Sequence, residues 1–503
     1  MAMATVLSRA QLGMDAPLVR VEIDLAPGLP RFTVVGLAEA AVKESRDRVR
    51  AAIVNSNLAM PDGRVTVNLS PADLPKEGGR YDLPIALGIL LASGQLPADS
   101  LRDCEFYGEI SLGGEVQGMH GALLAALAAT RQNHSFVIPR SNASEAALVS
   151  GCKFAVVSNL LEVVAHATGT KPLEFTFGSA PPLIQTQECD LREVRGQEFA
   201  KRALEIAAAG AHSLLFVGPP GTGKSMLAQR LPGLLPPLSE DEALEVAAVR
   251  NAAGVPINVS HWRVRPFRAP HHTASAVALV GGGAKPRPGE ITLAHHGVLF
   301  LDELPEYERR VLEVLREPLE TGVITISRAA SQAEFPASFQ FIGAMNPCPC
   351  GYLGDISAKC HCTFEQVRRY RNRLSGPLID RLDLHVEVVR VPVEAMRADS
   401  AQLECSSDVA RRVVHVREAQ LTRQGCVNAR LRNRDIERFC RPTTKARQLL
   451  DRASTKLGFS ARAYHRILKV ARTIADLAGA AQIDTAQISE AMSLRKLDRS
   501  ESP

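Results

Sequence analysis

The sequence predicts a multidomain α/β protein in three parts. An α+β domain covers 1–168, an α/β core covers 190–386 and a basic helical segment covers 387–503, with a linker at 169–189. Three observations lead there. The chain has 503 residues, too many for one hydrophobic core and enough, at roughly 150 residues per domain, for about three. Between 198 and about 385, helical stretches and apolar strands interleave as they do around a parallel sheet. From about 404 onward nearly every stretch has helical composition, interrupted at Gly425, Pro442 and Gly479.

In the first part, 19–25 and 65–69 alternate apolar and polar residues with period two, as half-buried strands do. Residues 38–57 carry an apolar stripe through Val42, Val49 and Ile53, a helical pattern, and 83–92 and 122–130 read as buried helices. The linker is marked by Gly169, Pro172, Gly178, Pro181 and Pro182 without periodicity. No run of 18 apolar residues occurs, which excludes a membrane-spanning helix. The first nine residues lack a basic start followed by an apolar stretch, so no secretory signal is expected. Ten cysteines are too few for a disulfide scaffold, and the expected compartment is a reducing cytoplasm.

Charge is distributed unevenly. Lys and Arg number 15 against 18 Asp and Glu over 1–180, a net of −3, and 17 against 19 over 181–362, a net of −2. Over 363–503 they number 27 against 17, a net of +10. A polyanionic partner such as DNA and a solvated helical surface both account for that excess.

The core opens on an apolar strand at 213–217, followed by Gly218-Pro219-Pro220-Gly221-Thr222-Gly223-Lys224-Ser225 and a helix. This is a phosphate loop in its strand–loop–helix setting. Its glycines let backbone N–H groups close around phosphates, Lys224 offers charge to the β and γ phosphates of ATP, and the Ser225 hydroxyl is a Mg²⁺ ligand. About 80 residues on, 297–301 is a second apolar strand ending in Asp302 and Glu303. Asp302 suits the Mg²⁺ shell and Glu303 suits polarising a water. A third strand, 339–345, ends in Asn346, either a turn residue or a group that positions the water or senses the γ phosphate. Three strands with polar tips on one edge fit a ligand at the carboxyl ends of a parallel sheet.

These elements in this order resemble the AAA+ ATPases. The wording is closest to their magnesium-chelatase-like branch, the ComM or YifB proteins. The matching stretches are 265–272 (Arg-Pro-Phe-Arg-Ala-Pro-His-His), 288–295 (Pro-Gly-Glu-Ile-Thr-Leu-Ala-His), 375–383 (Ser-Gly-Pro-Leu-Ile-Asp-Arg-Leu-Asp) and 459–466 (Phe-Ser-Ala-Arg-Ala-Tyr-His-Arg). The resemblance spans essentially the whole chain. It implies a ring-forming, hexameric ATPase in natural transformation that drives branch migration of DNA, with single-stranded and branched or duplex DNA and recombination proteins as partners and with no membrane role. It makes Arg381 the arginine finger that reaches a neighbour's γ phosphate, a surface ion pair with Asp380 or Asp383 being the alternative. It makes Arg462 the sensor of a C-terminal helical lid, although Arg466, one turn on, shares that helix face. It makes 254–290 an insertion in the second helix and 317–337 a hairpin before the third strand. Arg268, Lys285 and Arg328 are then candidate DNA contacts facing a pore, each with ordinary surface charge as the alternative.

The first domain resembles the proteolytic domain of Lon. Over 75–82, Arg80 stands where that family places its serine, and after the matching stretch 108–116, Leu123 stands where it places its lysine. A serine–lysine dyad needs a hydroxyl and a nearby amine, so the resemblance implies the fold without peptidase activity.

Cys348, Cys350, Cys360 and Cys362 form two Cys-x-Cys pairs, and His361 lies between the last two. Four thiolates in a short loop can close a tetrahedral Zn²⁺ site, while reduced free thiols are the alternative. Three functional readings follow: a DNA translocase, a chelatase-type motor that inserts Mg²⁺ into a porphyrin, and a non-enzymatic DNA scaffold. The basic C-terminal part and the Lon-like first domain favour the translocase over the chelatase, and the set of Lys224, Asp302, Glu303 and Arg381 argues against the scaffold.

Overall fold

An eight-stranded mixed sheet organises the first of two units in the computed structural model. The structure describes residues 2–37, 39–179, 181, 189–283, 287–328, 331–355, 359–391, 403–495 and 497. The first unit gathers 1–184 with 240–262, and the second gathers 185–239 with 263–503. The first sheet runs in the order Thr176–Phe177, Lys153–Val157, Ser135–Pro139, Cys104–Phe106, Ala2–Arg9, Leu18–Ala26, Arg64–Ser70, Arg31–Val35. The strand Ala2–Arg9 escapes the sequence reading because its alanine, serine and threonine positions dilute the alternation. It pairs antiparallel with Leu18–Ala26 along its whole length. Helix Asp82–Ala92 is apolar on nearly every side and is buried on nearly every side, against the strands Ala2–Arg9 and Leu18–Ala26 and under helix Ala40–Asn55.

Two parts of this unit depart from the expected boundaries. Thr176–Phe177, within the expected linker, pairs antiparallel with Lys153–Val157 at the sheet edge. Residues 180 and 182–188 of that linker lie outside the described residues. Helix Glu240–Ala252, expected inside the core, packs Ala248 against Ala16 and Leu124. The chain leaves the second unit and returns to it at one point, where the Leu238 N–H donates to the Arg263 carbonyl at 3.0 Å.

The second unit is built on five strands in the order Phe267–Arg268, Val298–Leu301, Gln340–Met345, Leu214–Val217, Leu384–Glu387, and every neighbouring pair is parallel. Val298–Leu301 and Gln340–Met345 are buried throughout, as parallel strands covered on both faces are; the first is wholly apolar, and in the second the Gln340 amide donates to the Ala207 and His212 carbonyls at 2.8 and 2.9 Å. Phe267–Arg268, expected in an insertion, is the edge strand of this sheet. At two residues it is too short to show a period.

Helices Glu198–Gly210 and Lys224–Leu234 share one core with the sheet and the C-terminal helices Ser406–Gln424, Asn433–Phe439, Thr444–Leu457, Ala461–Leu477 and Thr485–Ser493. Val409, Val413 and Val416 form the buried stripe of the first of these, and at roughly 1.5–3 kcal/mol per buried aliphatic side chain this contact fastens it to helices Glu198–Gly210 and Lys224–Leu234. The antiparallel hairpin Val323–Arg328 with Ser331–Pro336 falls within the expected 317–337. Among the described residues no helix is long and apolar enough to cross a membrane.

Candidate nucleotide site

Leu214–Val217 lies between Gln340–Met345 and Leu384–Glu387, so the chain winds to opposite sides from it and a crevice opens at its carboxyl end. In register, Val217 stands beside Met345 and Leu301 beside Gly343, so the residues after these strands emerge on the same edge. A cavity of about 400 Å³ lies there, lined by 220–226, Asp302, Glu303, Met345 and Asn346.

The loop shape is written into its residues. Gly221 and Gly223 have φ of +75° and +89°, left-handed values that favour glycine. A Cβ on Gly218 would lie 2.1 Å from the Val388 carbonyl oxygen, so any side chain there would displace the last core strand. The Thr222 hydroxyl donates to the Pro219 carbonyl at 2.9 Å and closes the loop on itself. Gln197, to which the sequence reading gave no role, donates its amide to the Thr222 and Val389 carbonyls at 3.2 and 2.6 Å. The helix Lys224–Leu234 points its N-terminus, with its unpaired N–H groups, at the cavity.

Lys224 is buried, and its ammonium donates to the Gly218 and Pro219 carbonyls at 2.8 and 2.9 Å and to Asn346 Oδ1 at 3.2 Å. Burial lowers its pKa, while Asp302 and Glu303 work the other way. The Ser225 hydroxyl donates to Asp302 Oδ2 at 2.5 Å, and the Glu303 N–H donates to Asp302 Oδ1 at 2.8 Å. Glu303 itself has φ +50°, a conformation that costs a non-glycine residue roughly 1–2 kcal/mol and marks a strained position at the strand end. Its carboxylate lies 3.1 Å from His272 Nδ1. His272 was quoted in a motif without a role, and its signal was only that it follows Arg265-Pro266-Phe267-Arg268. The Tyr307 hydroxyl donates to the Pro270 carbonyl at 2.6 Å and ties that segment to the turn after Glu303. Thus the phosphate loop, Asp302, Glu303 and Asn346 come together, as the fit of a Mg²⁺–nucleotide requires: a hydroxyl and a carboxylate face each other beside a buried ammonium.

Arg381 and Arg462 do not line this cavity. Arg381 is buried, donates to the Pro377 carbonyl at 2.7 Å and pairs with Glu320 at 2.7 Å, rather than with Asp380 or Asp383. Arg462 is exposed in the first turn of Ala461–Leu477. Arg466 instead pairs with Asp383. Burial would push the Asp383 carboxyl up, but the Arg466 guanidinium, His212 and the Ser213 N–H hold it well below the usual carboxylate range.

Of the candidate DNA contacts, Arg268 is clasped by Glu290, Nε and Nη2 donating to its two oxygens at 2.7 Å each, so it meets a phosphate only if that pair opens. Arg328 ends the first arm of the hairpin, opposite Ser331, and its side chain lies outside the described residues, as does Lys285 altogether.

The four cysteines converge: their sulfurs all lie within 4.8 Å of one another. Cys348 is 3.3 Å from Cys350 and 3.8 Å from Cys360, and the Leu353 N–H donates to Cys348 Sγ at 3.3 Å. Four thiolates at about 2.3 Å from one Zn²⁺ stand roughly 3.8 Å apart, so the donor set fits that ion. His361 is exposed and is not one of the converging groups. This loop also touches the phosphate loop. A Cβ on Gly351 would lie 2.8 Å from Pro220 Cδ and 3.8 Å from Asn346 Cγ.

In the first unit, Arg80 is buried with its guanidinium 5.5 Å from the Tyr107 ring centroid, and its Nε donates to the Glu77 carbonyl at 3.1 Å. Leu123 is wholly buried in the first turn of Ala122–Arg131. Neither side chain carries a nucleophile or a titratable amine.

Comparison with known proteins adds three family matches along the chain. "Subunit ChlI of Mg-chelatase" matches 21–142, "Magnesium chelatase, subunit ChlI" matches 190–396, and "Magnesium chelatase, subunit ChlI C-terminal" matches 403–495. The chain is 50% identical to the competence protein ComM of Haemophilus influenzae over 503 residues, 99% of this chain and 98% of that protein. It is 47% identical to the uncharacterized protein YifB of Escherichia coli over 500 residues, 99% of this chain and 98% of that one. The magnesium-chelatase 67 kDa subunit of Heliobacterium mobile is 26% identical over 234 residues, 40% of this chain and 33% of that subunit.

Proposed function

The chain belongs to the ComM/YifB family of magnesium-chelatase-like AAA+ ATPases, and from that premise we propose that it is one subunit of a hexameric ring that uses ATP to translocate on DNA and drive branch migration during natural transformation. The observation that carries this reading is end-to-end likeness to a competence protein, joined to a nucleotide cleft whose lining, among the described residues, holds no arginine. A finger that is absent from its own cleft and present elsewhere on the core suits a ring in which each subunit completes its neighbour's site.

In this reading Ser225 and Asp302 would hold Mg²⁺, which would neutralise phosphate charge when bound. Lys224 gives up its carbonyl partners for the β and γ phosphates. Glu303, aimed by His272, takes the proton side of the attacking water, and Asn346 orients it. Arg381 leaves Glu320 to reach the next subunit's γ phosphate, and Arg462 senses nucleotide from the lid. Structural Zn²⁺ on Cys348, Cys350, Cys360 and Cys362 would brace the Asn346 strand end against Pro220. The first unit is read as a Lon-like fold without peptidase activity, serving assembly or DNA guidance. Arg328 on the hairpin, with Lys285, remains the proposed DNA contact. Arg268 requires release from Glu290.

The second reading, a chelatase-type motor, is favoured only by the family descriptions. Identity to a chelatase subunit is 26% over 40% of the chain, against 50% over 99% for the competence protein. A hydrolysis assay separates them: forked or four-way DNA should raise the ATPase rate severalfold and lose that effect as salt rises, with a log–log binding slope of roughly −0.7 to −0.9 per phosphate contact. A rate indifferent to DNA would sink the translocase reading.

A further inference from the structure

We infer that 381–383 is a joint through which the C-terminal helices set the position of Arg381, with Arg466 and Arg495 as positioning residues. The inference rests on the proposal that Arg381 acts on a neighbour's nucleotide.

The Arg381 and Leu382 N–H groups bond locally, to the Leu378 and Ile379 carbonyls, while the Asp383 carboxylate and the carbonyls of 381–383 are gripped by residues distant in the sequence. The Asp383 carboxylate accepts from Arg466 on one oxygen, and on the other from the Ser213 N–H at 3.0 Å, with His212 Nδ1 at 3.5 Å. The Asp383 N–H donates to Ser213 Oγ at 2.9 Å, and that oxygen lies 3.3 Å from the Arg381 carbonyl. Arg495, wholly buried, donates Nη1 to the Leu382 carbonyl at 2.7 Å and to the Asp383 carbonyl at 3.0 Å. The grips therefore come from two sources. Ser213 and His212 precede the phosphate-loop strand, while Arg466 and Arg495 belong to the C-terminal segment. A buried carboxylate with this many donors is fixed in place, and removing one donor leaves the rest mismatched.

The placement of Arg466 gives the joint its direction. It lies one turn beyond Arg462 on Ala461–Leu477, so a shift of that helix when Arg462 meets a nucleotide moves the guanidinium that holds Asp383. Asp383 is two residues from Arg381. Nucleotide bound in one subunit is thereby felt at the finger which that subunit presents to the next.

The test uses full-length chain and mixed rings. Arg466→Met should keep KM for ATP within about twofold of wild type and lower kcat at least tenfold, because the pocket is intact and the outgoing finger is displaced. Arg466→Lys should recover most of that loss. Mixing Arg466→Met with Lys224→Ala subunits should restore hydrolysis, since the second variant presents a sound finger to the first one's pocket. Where Arg466→Met does not fold, judged by thermal unfolding, Asp383→Asn takes its place in the same mixtures. Failure to restore hydrolysis while Arg381→Ala with Lys224→Ala does restore it overturns the joint and leaves the trans finger standing. Failure of both mixtures overturns the trans finger, and the joint with it.

Discussion

Replacing Arg381 by alanine separates a structural arginine from a catalytic one, because the two roles predict losses of different size. Within one chain the side chain pairs with Glu320, whose side chain is 46% exposed, and donates one hydrogen bond to the Pro377 carbonyl. The Glu320 carboxylate left behind is half exposed and solvated cheaply, so although Arg381 itself is buried, removing it leaves no buried charge unpaired. With the lost hydrogen bond and packing, the unit should be destabilised by roughly 1–2 kcal/mol, a fall in Tm of a few degrees. On a neighbour's γ phosphate the arithmetic differs. An arginine that meets the charge of the transferring phosphoryl group accounts for roughly 10³–10⁵ in rate, about 4–7 kcal/mol at 1.36 kcal/mol per tenfold. Steady-state hydrolysis, titration of a fluorescent ATP analogue and thermal unfolding, run on the same preparation, read all three quantities. A trans-acting Arg381 gives a rate loss above about a thousandfold, analogue affinity within a few fold of wild type and Tm within a few degrees. A rate loss below tenfold, or one that tracks a collapse in Tm, would show that Arg381 only braces its own chain.

Glu303→Gln should bind ATP and hold it without turnover, whereas Lys224→Ala should fail to bind; hydrolysis at wild-type rate in the glutamine variant would remove Glu303 from the chemistry. Protein purified without chelator should carry about one zinc per chain by metal analysis, lost in the Cys348→Ser, Cys350→Ser double variant along with nucleotide affinity, because Gly351 abuts Pro220; metal-free wild type would reject the site. Asp383 has its pKa lowered on folding, so the stability it contributes is present above its unfolded pKa of about 3.9 and is lost as pH falls through the folded value. Denaturant titrations should therefore find the advantage of wild type over Asp383→Asn shrinking as pH drops below about 4, and an advantage constant down to pH 2 would deny that the buried carboxylate is ionised.

The nucleotide cleft is legible in the sequence because its chemistry is local. Eight consecutive residues build the loop, the Asp302-Glu303 pair follows the apolar run 298–301, and Asn346 follows 341–345, runs that parallel, doubly covered strands require. The cysteine group is legible for the same reason, all four thiols falling within 15 residues. What escaped depends on distant partners or on elements too short to show a period. Phe267–Arg268 is two residues long, and Arg268 is spent on Glu290, 22 positions away. Glu240–Ala252 has an ordinary helical pattern that says nothing of which sheet it covers, and it belongs with the first unit. The Arg466–Asp383 pair spans 83 positions, so from the sequence Arg462 and Arg466 look equivalent; only the fold commits one of them to a buried carboxylate.

The most direct measurement is a labelled four-way DNA junction incubated with the wild-type chain and with Lys224→Ala, with ATP and with a non-hydrolysable analogue. The analogue should support junction binding and ring assembly without movement of the branch point. Branch migration should appear only for wild type with ATP, and should fall in Arg328→Ala more than basal hydrolysis does. Branch migration by Lys224→Ala, or robust hydrolysis by wild type with the junction left unprocessed, would contradict the translocase reading.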